Sequence, residues 1–113
     1  MKVIVAGSRA VAHYALVANA IRESGFDISE IVSGGARGVD QLGELYALRN
    51  GIRLKRMPAE WNAYGKSAGF RRNAEMAEYA DALVAIWDGE SSGTGHMIQV
   101  AKRRGLRVFI REI

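Results

Sequence analysis

The sequence predicts an α/β fold: a three-layer sandwich with helices on both faces of a five-stranded, mainly parallel sheet. Three observations lead there. Apolar, β-branched runs alternate with stretches of helical periodicity along the whole chain, the pattern of parallel strands joined by crossover helices. Val3-Ile4-Val5-Ala6 and Leu83-Val84-Ala85-Ile86 are continuously apolar, as strands buried on both faces are. Glycine occurs 13 times and proline once, which fits tight turns between regular elements better than a disordered linker.

Taken in order, Val3 to Ala6 is the first strand, ending at Gly7-Ser8-Arg9. From about Ala10 to Glu23, Val11, Tyr14, Ala15, Val17, Ala18 and Ile21 recur at helical spacing, and Gly25 supplies the stop. Glu30 to Ser33 is the second strand. It runs into a loop of glycines, Gly34 to Gly38, and then a helix from about Val39 to Arg49 with Leu42, Leu45, Tyr46 and Leu48 on or near one face. Ile52 to Met57 reads as a third strand, and Arg53, Lys55 and Arg56 make it an edge. Pro58 closes it, and Ala59 to Gly69 is expected to be irregular. A helix from about Phe70 to Ala80, a strand from Ala82 to Trp87, a small-residue loop, a helix from Thr94 to Arg104 and a strand from Leu106 to Ile110 complete the chain. The two most apolar strands belong at the centre. With right-handed crossovers the expected order is 3-2-1-4-5, a single Rossmann-like domain over residues 1–113.

Apolar residues make up 49% of the 113 positions and charged residues 25%, as in an ordinary soluble globule. The absence of cysteine excludes disulfides and thiolate metal sites, and His13 and His96 lie too far apart to show metal-ligand spacing. No metal or other cofactor is expected. A net charge of +4 suits phosphate-bearing partners or simply a soluble surface, and no long basic arm is present. No apolar window approaches a membrane span, and the run after Lys2 is too short for a signal peptide, so no membrane partner and a cytoplasmic location are expected.

In an open sheet of this order the winding reverses between strands 1 and 4, and ligands bind outside the carboxyl ends there. Three loops should meet at that point: Gly7-Ser8-Arg9; Gly34-Gly35-Ala36-Arg37-Gly38; and Asp88 to Thr94, with Gly89, Ser91, Ser92, Gly93 and Thr94. Each precedes a helix N-terminus, whose free N–H groups and dipole favour an anion. Arg9 and Arg37 add planar donor forks suited to phosphate. One such loop alone is equally consistent with tight packing; three at one sheet edge favour binding.

Gly7-Ser8-Arg9, Ser33 to Asp40, Ala68-Gly69 with Arg72-Asn73, Ala80-Asp81-Ala82, Trp87-Asp88-Gly89 and Ser92-Gly93-Thr94 together resemble the SLOG superfamily, in particular its YspA-related branch. The resemblance runs in order over nearly the whole chain. It implies a Rossmann-like domain that binds a nucleotide or related phosphate, in a bacterial or phage protein; a phage product would act in the host cytoplasm. Larger members include the LOG phosphoribohydrolases, which cleave nucleoside monophosphates at the N-glycosidic bond, and DprA, which binds single-stranded DNA. LOG enzymes carry a glutamate in a Pro-Gly-Gly-x-Gly-Thr-x-x-Glu motif. The matching position here is Met97, which cannot act as acid or base, although Ser92-Gly93-Thr94 keeps the phosphate-binding part.

Two carboxylates are the candidates for chemistry. Asp40, in the first turn of the second helix, would bond a ribose hydroxyl or act as a general base; complementing the helix dipole is its bland alternative. Asp88, at the tip of strand 4, would stabilise an oxocarbenium-like state or activate water. Trp61 is placed to stack on a base or to cover the sheet's end, and Arg72 and Asn73 to reach the ligand. The leading expectation is therefore a nucleotide-binding domain, with N-glycosidic hydrolysis as its chemistry if it is an enzyme. A single-stranded nucleic-acid binder similar to DprA, or a sensor without turnover, are the alternatives. Self-association is expected, because the helices over Val11–Ile21 and Leu42–Leu48 carry more apolar surface than one small sheet covers.

Overall fold

Alternate side chains of each central strand enter opposite cores, and this is what makes the sheet a middle layer. In a computed structural model that describes residues 1–113, the strands are β1 (Lys2–Gly7), β2 (Glu30–Ser33), β3 (Arg53–Arg56), β4 (Ala82–Trp87) and β5 (Arg107–Glu112). Their order is β3-β2-β1-β4-β5. Every pairing is parallel, so the expected mainly parallel sheet is wholly parallel. Val3 and Val5 of β1 enter one core with Ile31, Val84 and Ile86; Ile4 and Ala6 enter the other with Val32, Leu83 and Ala85. Each large aliphatic side chain removed from water in this way contributes about 1.5–3 kcal/mol.

The first core is closed by α1 (Tyr14–Glu23), through Val17, Ala18, Ala20 and Ile21, and by α2 (Val39–Arg49), through Val39, Tyr46 and Ala47. Two further helices, α4 (Ala68–Tyr79) and α5 (Ser92–Arg103), close the second through Met76, Ala77, Ala80, Met97, Ile98 and Ala101. Most of the apolar surface of α1 and α2 is thus covered within the chain. Leu48 is left outside at 78% exposure.

The elements depart from expectation in two places. The first helix begins at Tyr14 and not at Ala10, because the Ser8 hydroxyl accepts the Ala10 amide at 3.2 Å and holds the chain in a turn, after which His13 is extended (φ −96°, ψ 109°). The irregular segment contains a short helix, α3 (Trp61–Tyr64), and a 3₁₀ turn, Gly65–Ser67, that lead directly into α4. All four residues of β3 are exposed, and its arginines and lysine mark an edge that resists further pairing. Gly7 lies opposite Ile86 in the parallel register, so the loops leaving β1 and β4 start side by side at the winding reversal.

Candidate functional site

A cavity of about 490 Å³ opens at that reversal. Gly7, Ser8, Arg9 and Ala10 form its wall after β1; Ala36 and Asp40 reach it from the β2–α2 connection; Arg72 and Asn73 reach it from α4; Ser91, Ser92, Gly93, Thr94 and Met97 bound it on the α5 side. Trp61 stands at the mouth, half exposed. Of the residues singled out from sequence, Gly34, Gly35, Arg37, Gly38, Asp88 and Gly89 lie outside the lining.

The glycine-rich loop has a different use from the one its composition suggests. Two of its five amides are taken by protein oxygens: Gly35 N–H by the Ser33 hydroxyl at 3.1 Å, and Ala36 N–H by Asp40 Oδ2 at 3.2 Å. The Gly34 carbonyl accepts from Arg72 Nη1 at 2.6 Å. Ser33 donates to Glu44 Oε2 at 2.7 Å, and Glu44 pairs with Arg56 at 2.6 Å. The loop is therefore a bracket that fixes Asp40 and Arg72. Two of its glycines serve close approach: a Cβ on Gly34 would sit 2.4 Å from Arg72 Nη1, and one on Gly38 (φ +76°) would sit 2.4 Å from the Ser8 carbonyl oxygen. Arg37 is exposed on the outer side of this bracket.

Asp40 is the one carboxylate in the cavity lining. It is 5% exposed. Burial pushes its pKa up to about 6, opposed by the Ala36 amide and the nearby Arg72 and Arg9 charges. Burial also lowers the pKa of Arg72, with Asp40 working against the shift. An arginine remains charged even so. The cavity floor thus holds a fixed cation beside an acid that titrates near neutrality.

Behind the opposite wall, Asp88 acts on backbone. Its Oδ1 accepts the Glu90 and Ser91 amides at 2.9 and 2.8 Å, and its Oδ2 accepts the Ser91 hydroxyl at 3.0 Å. Those amides hold its carboxyl below the usual range. Asp88 is fully occupied as a turn residue that aims the start of α5. The Trp87 indole N–H donates to the Ser91 carbonyl at 3.1 Å and braces the same turn. The next three amides, Ser92, Gly93 and Thr94, make no hydrogen bond within the chain, as expected of a helix's first turn, and all three residues line the cavity.

Asn73, 5% exposed, ties α4 to α5: its Nδ2 donates to the Gly93 carbonyl at 3.2 Å and to His96 Nδ1 at 3.1 Å. Its Oδ1 accepts from Arg72 Nε at 3.1 Å. Lys66 and Phe70 also line the cavity. Sequence reasoning did not place them there; their position just before and inside α4, next to Trp61, was the available signal. No three His, Asp or Glu side chains come together in metal-binding geometry.

Comparison with known proteins now adds a family. The model of the YspA, cpYpsA-related SLOG family matches residues 1–64, more than half of the chain. The chain belongs to that family. The Gene 61 protein of Mycobacterium phage D29 is 36% identical to this SLOG chain over 87 residues, 70% of the chain and 68% of the phage protein. Among solved structures, DNA processing protein A (DprA) from Streptococcus pneumoniae superposes with a TM-score of 0.75 over 96% of the chain at 22% identity. The SLOG chain spans 49% of that DprA chain, and the likeness is one of fold. No helix is long and apolar enough to cross a membrane.

Proposed function

We propose that this SLOG domain binds a nucleotide or another nucleoside phosphate in the cavity between β1 and β4. One observation carries the reading: the unpaired amides of Ser92, Gly93 and Thr94 share a cavity with the cations Arg9, Lys66 and Arg72 and with the Trp61 ring. Amides and cations suit a phosphate. The ring suits a base. In this reading Asp40, in the same lining, bonds a ribose hydroxyl.

A second reading, N-glycosidic hydrolysis, is favoured by the ionisation of Asp40 near neutral pH. Above about pH 6 its carboxylate takes a proton from water as the water oxygen attacks the anomeric carbon. The C–N bond breaks, its electrons leave with the base, and the base is protonated by solvent. Met97 and the turn residue Asp88 supply no second carboxyl group in the cavity, so any turnover rests on Asp40.

Isothermal titration against ribonucleoside monophosphates, with mass spectrometry of the mixtures, tests both. Binding that Arg72→Met weakens at least tenfold supports the first reading, and its absence for all ligands overturns it. Base release abolished by Asp40→Asn supports the second. Binding of a longer single strand that falls steeply with salt would instead favour a polynucleotide partner. We place the protein in the cytoplasm, the host's if phage-encoded. We also propose self-association through the exposed Leu48 region, which a monomer by light scattering would refute.

A further inference from the structure

Beyond the Phe70–Ser92 rim lies a second, open hollow of about 530 Å³, and Phe70, Ser91 and Ser92 belong to both walls. Phe70, Trp87 and His96 give its wall three aromatic rings, and Glu90 and Lys102 add one charge of each sign. The Phe70 and His96 rings stack with centroids 4.2 Å apart and 26° between planes. Trp87 packs against Gly95, where an added Cβ would meet the indole at 3.3 Å. The Asn73 amide nitrogen is a donor only, so His96 Nδ1 accepts it and the ring proton sits on Nε2. Asn73 therefore lines the first cavity and sets the tautomer of a ring in the second.

We propose that the two hollows form one site for a short dinucleotide, two nucleoside units joined through phosphate. This rests on the reading of the first cavity as a nucleoside-phosphate site. One base lies beside Trp61. The bridging phosphate crosses the shared rim at the free amides of α5. The second base lies against Phe70, His96 and Trp87, where the fixed Nε2–H and the amide of Gln99 offer polar contacts to its edge. A mononucleotide fills one hollow and leaves the second aromatic wall in water. Stacking of one further base is large enough to tighten binding about tenfold.

The test is calorimetric titration of the full chain with the four ribonucleoside 5′-monophosphates, the matching 5′-phosphorylated homodinucleotides and 12-residue homopolymers. Gln99→Glu and Lys102→Glu, both at exposed positions on α5, serve as blocks of the second hollow, setting carboxylates against a second nucleotide without adding a ring. The expected result is a dinucleotide that binds about tenfold tighter than its mononucleotide. The blocks bring it back to the mononucleotide level with mononucleotide affinity unchanged. Equal affinity of the two ligands, or blocks that leave dinucleotide binding intact, overturns the proposal while the first-cavity reading stands. Affinity that keeps climbing from two to 12 nucleotides also overturns it, in favour of a polynucleotide track. Failure of every mononucleotide and dinucleotide overturns both readings together.

Discussion

Replacing Asp40 by Asn should stabilise the protein at neutral pH. The carboxyl of Asp40 titrates near pH 6 in the fold, against 3.8 for an unperturbed aspartate. Because the folded-state value is the higher one, the folded chain holds a proton that the unfolded chain has lost between about pH 4 and pH 6. Stability from this group is therefore full below pH 4 and falls as pH rises through 6. The span from 3.8 to about 6, at 1.36 kcal/mol per pH unit, gives a loss of about 3 kcal/mol above pH 6. That loss already includes the attraction of Arg72 and Arg9 and the 3.2 Å Ala36 amide contact. Asparagine is neutral at every pH and keeps an oxygen for that amide. The stability gap, variant minus wild type, should then grow by about 3 kcal/mol from pH 4 to pH 7 and stay level above. In a domain of this size that is a melting difference of about 10 °C at pH 7.5. Urea denaturation at half-unit pH steps measures it. A gap that stays flat from pH 4 to pH 7 would refute the burial argument, as would an Asn variant less stable than wild type at pH 7.5.

Further outcomes follow from the same contacts. Arg72→Met removes the 2.6 Å bond to the Gly34 carbonyl and should cost about 2 kcal/mol in chemical denaturation; it should also move the Asp40 titration, followed by carboxyl NMR shifts, to higher pH. Gly38→Ala combines a left-handed φ of +76° with a Cβ 2.4 Å from backbone and should cost about 3 kcal/mol. Gly35→Ala has the same φ but open space around it, so about 1 kcal/mol is expected, and equal costs for the two would refute the close-approach reading. Asp88→Ala should raise hydrogen exchange at Glu90 and Ser91 and weaken ligand binding without entering the cavity, whereas Asp88→Asn should preserve much of both.

The fold was legible because β-branched runs and glycine stops carry most of the information about a parallel sheet. Val3–Ala6 and Leu83–Ile86 are apolar at every position, and only a central strand can hide both faces. The start of α1 was not legible, since the competing bond from the Ala10 amide to the Ser8 hydroxyl depends on where Ser8 lies in space. The site divides in the same way. Thr94, Arg72 and Asn73 reach the cavity that loop convergence predicts. The fate of the Gly35 and Ala36 amides turned on two side chains, Ser33 and Asp40, that fold back onto them. Composition identifies a loop that can bind an anion but not which of its donors are already used. Asp88 was readable as a turn residue, because an Asp-Gly pair favours an Asx turn in which the carboxylate takes amides two and three positions on. The Phe70–His96 stack joins residues 26 positions apart on two helices, and no local pattern announces it.

The segment that carries Trp61 and Lys66 buries nothing: neither α3 nor the 3₁₀ turn after it contains a buried residue. The fold does not depend on its side chains, whereas the bracket around Asp40 is locked by contacts on every side. Mutational drift is thus free in one half of the cavity and forbidden in the other. A lineage built on this scaffold can exchange the mouth of the cavity while the acid and arginine at the floor stay fixed, so the shape of the opening and the stability of the domain can evolve along separate paths.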